Sequence, residues 1–222
     1  AESRRLIARA VVRLPEVRTA LAQAYVCVVG GTTNAFVAQE LTGQRDIAPE
    51  RFTAGTSVRG IVCVTAAGSR DPRIPLVMRR GEVVKMTLSE VFADFHRETV
   101  VIKGANAVDP DGNVGIITSG FDGGTVAATI GYMTSTGMRY IFPVGLEKLV
   151  PSVPEAARCT GSKTFDYSMG ANFGMYCLAN GIVVTELEAL ATLSGVRAVH
   201  VAGGGIGGNE GAVVLIAEGT DA

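Results

Sequence analysis

The stretch Y-V-C-V-V-G-G-T-T-N-A-F-V-A-Q-E-L-T, Tyr25 to Thr42, decides the fold. Its first five residues are an unbroken apolar run without polar alternation, the pattern of a strand buried on both faces. A glycine pair and two threonines follow, and then a helical segment, A-F-V-A-Q-E-L-T, that Gly43 can cap. The order is strand, glycine-rich turn, helix.

Working outward, Leu6, Ile7, Ala10, Val11 and Leu14 recur at helical spacing while Arg5, Arg9 and Arg13 fall on another face, so 3–14 is an amphipathic helix with a solvated arginine stripe. Pro15 fits the first turn of a second helix, where its missing N–H costs nothing. Downstream, 59–65 reads as a strand and 75–86 as a hairpin turning at Arg80-Gly81. Thr87 and Glu90 form a capping box for a short helix. Residues 99–103 are a further buried strand, 125–136 a helix closed by Gly137, and 139–144 another strand. Residues 151–181 show no clean period. Order returns with a strand at 182–184 and a second capping box at Thr185 and Glu188, on a helix that Gly195 stops. Strands at 196–202 and 212–217 close the chain, joined by G-G-G-I-G-G-N-E-G. The fold class expected is α/β, a mostly parallel sheet with helices on both faces. Residues 1–151 would be the α/β core carrying the ligand loops, and 152–222 a small α+β, lid-like portion that could rejoin the core sheet.

Composition narrows the function classes. Of 222 residues, 47% are hydrophobic, enough for a sizeable core. Twenty basic against twenty-one acidic residues give a net charge of −1, so nothing global points to nucleic acid or an anionic membrane. Trp is absent and only 6% of residues are aromatic, which removes the stacking platforms of single-strand binders. No run approaches the ~18 uninterrupted apolar residues of a membrane span. Cys27, Cys63, Cys159 and Cys177 make no C-x-x-C pair, and the first two lie in V-C-V triplets that read as buried strands. Reduced core cysteines in a soluble, cytoplasmic protein are expected. His96 and His200 have no metal-ligand spacing to a cysteine or carboxylate, and His200 alternates with valines taken as core-facing. No metal is expected, and no motif names a cofactor.

Two glycine turns carry the functional signal: G-G-T-T-N-A at 30–35 and G-G-T-V-A at 123–127. Each puts glycines and a threonine where a helix begins, so backbone N–H groups, the helix dipole and a hydroxyl can converge on an anion. The plain alternative is a tight turn and an N-cap. Neither is a Rossmann or P-loop pattern. Between them, K-G-A-N-A-V-D-P-D-G-N-V-G (103–115) follows a strand. Its second half, D-P-D-G-N, is turn chemistry, which leaves Lys103 and Asn106 as the ligand-facing candidates.

The order of G-G-T-T-N-A-F-V-A-Q-E-L, V-I-K-G-A-N-A-V-D-P-D-G-N-V, G-F-D-G-G-T and V-G-L-E-K-L-V resembles the superfamily of ribose-5-phosphate isomerases, DeoR-type sugar sensors and CoA-transferases. The resemblance spans about residues 25–151. It implies a ligand crevice at the C-terminal edge of the sheet and a small anionic metabolite, phosphorylated or carboxylated, as partner. It does not carry the isomerase acids across, because Lys103 and Asn106 stand where that family keeps aspartates. On this resemblance Gly30, Gly31, Thr32, Thr33 and Asn34 would hold the anion, with Gly104, Gly123, Gly124 and Thr125 lining the site. Asn106 and Asp122 would contact polar groups, and Lys103 and Lys148 would supply charge. As an enzyme of isomerase or acyl-transfer type, the chain would use Asp122 or Glu210 as acid, base or nucleophile. A third reading is an interaction module with a vestigial pocket; the apolar terminal strands make a homo-oligomer plausible.

Overall fold

The computed structural model describes residues 2–58 and 60–219. Arg59, expected to open a strand, lies outside the described residues. In chain order the elements are α1 (Glu2–Val11), α2 (Pro15–Gln23), β1 (Tyr25–Val28), α3 (Thr32–Thr42), β2 (Gly55–Val58), β3 (Ile61–Val64), β4 (Leu76–Arg79), β5 (Glu82–Val84) and α4 (Leu88–Ala93). Then come β6 (Val100–Ile102), β7 (Ala107–Val108), β8 (Val114–Thr118), α5 (Gly124–Thr136), β9 (Arg139–Pro143) and α6 (Val153–Arg158). The chain continues with β10 (Gly174–Leu178), β11 (Ile182–Val184), α7 (Glu186–Ser194), β12 (Arg197–Gly203) and β13 (Val213–Glu218).

The central sheet has the order β11-β9-β6-β1-β4-β5. Its first four strands run parallel, and β4 and β5 are added antiparallel. The uninterrupted apolar strands follow from burial on both faces. Val26 and Val28 point into one cluster with Ile102, Ile141, Ile7, Phe36 and Ala189, beneath α1, α2, α3 and α7. Tyr25, Cys27 and Val29 point the other way, into a cluster with Val101, Tyr140, Phe142, Phe92 and Met133. Alternate side chains therefore serve opposite cores, and each fully buried valine contributes about 1.5–3 kcal/mol of burial.

The helix punctuation of the sequence is realised. Gly43, Gly137 and Gly195 take the left-handed conformation that ends α3, α5 and α7. Both capping boxes close, Thr87 with Glu90 and Thr185 with Glu188. The hairpin turns at Arg80 (φ 49) and Gly81 (φ 84).

Four strands behave differently from the core pattern. β2 and β3 form a two-stranded hairpin, joined outside itself by a bridge from Val62 to Gly170, and stand half-exposed, so Cys63 is not a core residue; Cys159 and Cys177 are exposed, and of the four cysteines Cys27 alone is buried. All four thiols are unpaired. β12 and β13 likewise form a separate antiparallel ribbon. Its valines face outward, with Val199 and Val201 about half exposed, and it is His200 that turns inward. That reverses the orientation expected from V-H-V, because the ribbon packs one face on α7 and leaves the other uncovered. A three-stranded sheet, β10-β8-β7, was not legible as strands and covers part of the second face, where only helices were expected. Of residues 152–222, β11 extends the central sheet beside β9 and β10 pairs with β8.

Candidate functional site

Parallel strands deliver their following loops to one edge. β1 leads into Gly30–Asn34, β6 into Lys103–Asn106, and β9 into the turn holding Glu147 and Lys148. The three loops meet in a cleft of about 640 Å³, lined also by residues 119, 120 and 122–125 at the start of α5 and by the β2–β3 hairpin. A cavity of this size suits a small metabolite, and the C-terminal edge is where open α/β sheets bind ligands. The lining carries Arg4, Arg70, Lys103 and Lys148 against the carboxylates Asp122 and Glu147, so its balance is cationic. Glu147 is further matched by Arg4 at 3.7 Å.

The first glycine turn is open. Gly31 is the N-cap of α3, and no side chain caps that helix. The N–H groups of its first turn have no intrahelical acceptor. Thr33 is 2% exposed, lines the cleft, and its hydroxyl has no partner among the described residues. Asn34 has another task. Its Nδ2 donates to Val29 O at 2.6 Å and Ile102 O at 3.0 Å, pinning the ends of β1 and β6 together. With both donors committed, the Asn34 amide shapes the turn and does not reach an anion itself. Its Oδ1, buried and unpartnered, faces Gly104, where an added Cβ would stand 3.8 Å from it and 4.0 Å from Gly31 Cα. Gly104 is therefore the floor between the two loops.

The second glycine turn is filled by its own acid. Asp122 Oδ1 accepts from Gly124 N at 3.0 Å, so a carboxylate already lies at the start of α5. Gly123 takes φ 70, and a Cβ there would run into Tyr176 Oη. This turn follows β8, outside the central sheet.

Lys148 Nζ donates to Ala105 O at 2.7 Å, tying the β9 loop to the β6 loop. Burial, with a further push from Arg4, lowers its pKa against the pull of Glu147 and Glu186. Lys103 is half-buried and, among the described residues, has neither an ion-pair partner nor a side-chain hydrogen bond. Burial first, and then the charge of Lys148, pushes its pKa down to about 8. Asn106 Oδ1 accepts from Ile117 N at 3.0 Å, which leaves its amide nitrogen to face the cleft.

Asp109 settles the D-P-D-G-N segment. Its carboxylate is buried and accepts from Asp111 N, Asn113 N and, at 2.9 Å, Val153 N at the start of α6. Burial raises its pKa, but hydrogen bonds from Asn113, Val153 and Asp111 outweigh that and hold it below the usual carboxylate range. It is a structural pin.

Of the residues singled out in the sequence, Gly30, Gly31, Thr32, Thr33, Lys103, Gly104, Asn106, Asp122, Gly123, Gly124, Thr125 and Lys148 all line the one cleft. Asn34 is not among the lining side chains, and neither is Glu210. Glu210 lies in the exposed β12–β13 loop, its carboxylate accepting from Gly208 N at 2.9 Å. The sequence reading missed Arg4, Arg70, Glu147 and the hairpin walls Thr53–Ser57 and Val62–Val64. The two valine-bearing runs around Gly60 were a hairpin signal for the last of these; nothing marked the two arginines. Among the described residues no group of histidine, cysteine and carboxylate side chains could hold a metal, and no helix is long and apolar enough to cross a membrane.

No family of known proteins, no curated protein and no solved structure matches this chain.

Proposed function

We propose that the protein binds a small anionic metabolite, phosphorylated or carboxylated, at the C-terminal edge of its sheet. In this reading it is a divergent relative of the ribose-5-phosphate isomerase, sugar-sensor and CoA-transferase-like fold. The observation that carries the reading is the uncapped start of α3 beside the unpartnered, buried Thr33 hydroxyl, inside a cationic cleft. A buried hydroxyl without a partner costs about 1–3 kcal/mol, and an anion at the helix start would satisfy it together with the free N–H groups. Acyl transfer through Glu210 gains no support, because its exposed carboxylate is not among the groups lining the cleft and accepts from Gly208 N instead. Thermal unfolding with inorganic phosphate, ribose 5-phosphate and acetyl-CoA tests the reading. At a hundred times Kd a ligand stabilises by about 2.7 kcal/mol, and no upward shift with any of the three would sink it.

Self-association is the second part of the proposal. Val199, Val201, Val214 and Ile216 share the uncovered face of the β12–β13 ribbon, each about half exposed. Light scattering on the intact chain checks it, and a monomer at tens of micromolar would end it. A cytoplasmic setting is proposed on the four unpaired cysteines, two of them exposed.

A further inference from the structure

The chain has twenty basic residues, and sixteen of them are arginines. Only four lysines occur, Lys85, Lys103, Lys148 and Lys163, and two of the four line the same cleft. Arginine stays protonated under all ordinary conditions, whereas a lysine can become a neutral amine. Lys148 is used as a cation, donating to Ala105 O. Lys103 is used for nothing visible: no carboxylate pairs with it and no carbonyl accepts from it among the described residues, yet it points into a cleft that already holds a second ammonium. Two like charges in a partly desolvated space favour losing one proton, the device by which amine nucleophiles are prepared.

The anchor lies next door. The Lys103–Gly104 backbone abuts the Gly30–Gly31 turn, with only 4.0 Å between Gly31 Cα and a Cβ built at Gly104. A ligand whose anionic group rests on the start of α3 would occupy the same cleft that Lys103 lines. The geometry points to Lys103 as a Schiff-base nucleophile acting on anionic aldehydes or ketones, such as phosphorylated keto sugars or 2-oxo acids. This rests on the anion-binding reading above and names the substrate class for that site.

The chemistry closes without an outside oxidant or reductant. The neutral amine attacks the carbonyl carbon, a C–N bond forms, and the carbonyl π pair moves to oxygen, which takes a proton. The carbinolamine hydroxyl takes a second proton and leaves as water while the nitrogen lone pair forms C=N, and the two protons the amine nitrogen gives up balance the two the oxygen takes. Hydrolysis reverses both steps. With the amine's pKa pushed down to about 8, about a tenth of Lys103 is neutral at pH 7. An ordinary exposed lysine is neutral there at below about one part in a thousand.

The test is reductive trapping. The full-length protein is incubated at pH 7 with dihydroxyacetone phosphate or pyruvate and sodium cyanoborohydride, then digested and mapped by mass spectrometry. Lys85 and Lys163, both exposed, serve as internal controls. The expected result is an adduct on Lys103 about 100-fold faster than on either control, suppressed by excess phosphate and absent in Lys103→Arg, with the preference shrinking towards pH 10. Labelling spread evenly over Lys85 and Lys163 would overturn the inference. Thermal shifts on the same samples keep the two ideas apart. A phosphate-dependent shift without a Lys103 adduct leaves anion binding standing and removes the nucleophile. A fast Lys103 adduct that phosphate neither protects nor accompanies with a shift keeps the amine and removes the anion site.

Discussion

The two glycine turns spell nearly the same letters and are built to opposite ends. At 30–34 the start of α3 is left open, with no side-chain cap and a buried hydroxyl lacking a partner. At 120–125 the N-cap Gly123 likewise supplies no side-chain cap, but Asp122 places its carboxylate on Gly124 N. What separates them is one acid: V-V-G-G-T against F-D-G-G-T. In this chain the glycine-rich helix start that lacks an acid just ahead of its glycines is left open, and the one that has Asp122 there is occupied by it.

The contrast can be broken most severely at Asn34. Asn34→Ala removes both bonds that pin β1 to β6, and urea unfolding is expected to show a loss of about 2–4 kcal/mol, with the open turn no longer formed. Thr33→Val should separate function from stability. The hydroxyl has no partner to lose, so stability is unchanged or rises by up to about 1 kcal/mol, while phosphate affinity measured by calorimetry falls about 10-fold. A Thr33→Val protein that is clearly destabilised would mean the hydroxyl has a structural partner.

Lys103→Met tests the cost of keeping an unpaired ammonium in the cleft. Its pKa is lower in the folded than in the unfolded chain, so between about 8 and the ordinary lysine value the unfolded chain binds more protons, and wild-type stability rises with pH there. Below pH 8 the methionine variant should be the more stable by on the order of 1 kcal/mol, and the gap should close as the pH climbs through that window. A pH-independent difference would contradict the depressed pKa. The smallest effect is expected at the closed turn. Asp122→Ala removes the carboxylate at the start of α5 at about 0.5–1 kcal/mol, and phosphate affinity rises a few-fold as a like charge leaves the cleft.

Much of the fold was legible because local rules and global placement agree. The capping boxes, the left-handed glycines and the apolar runs of β1, β6 and β9 each say locally what the fold requires. Gathering Lys103, Asn106, Asp122, Lys148 and both turns in one cleft follows from strand order, since parallel strands carry their loops to a common edge. What was missed has physical reasons too. β8 was hidden by Gly115, which looks like a turn residue but is there for space: a Cβ would meet Met175 Sδ at 2.7 Å and Ala107 Cβ at 3.0 Å. Cys63 was misplaced because V-C-V has the same composition in a buried strand and in an exposed hairpin, and only pairing tells them apart. Asn34 was cast as an anion ligand because its tertiary partners, the last carbonyls of two strands, are invisible from sequence. Glu210 was named only through the acyl-transfer side of the resemblance, and the ribbon loop that carries it places it in solvent.

The β12–β13 ribbon gives the molecule two levels of cooperativity. A pair of strands with one face open has little to hold it beyond its own ladder, so its amide protons can reach solvent through a local opening at low free energy. The amides of Val26–Val28, locked between two cores, exchange only when the whole sheet comes apart. Anything that covers the valine face would merge the two levels, and a slowed exchange at Val199, Val201, Val214 and Ile216 would be the first sign of it.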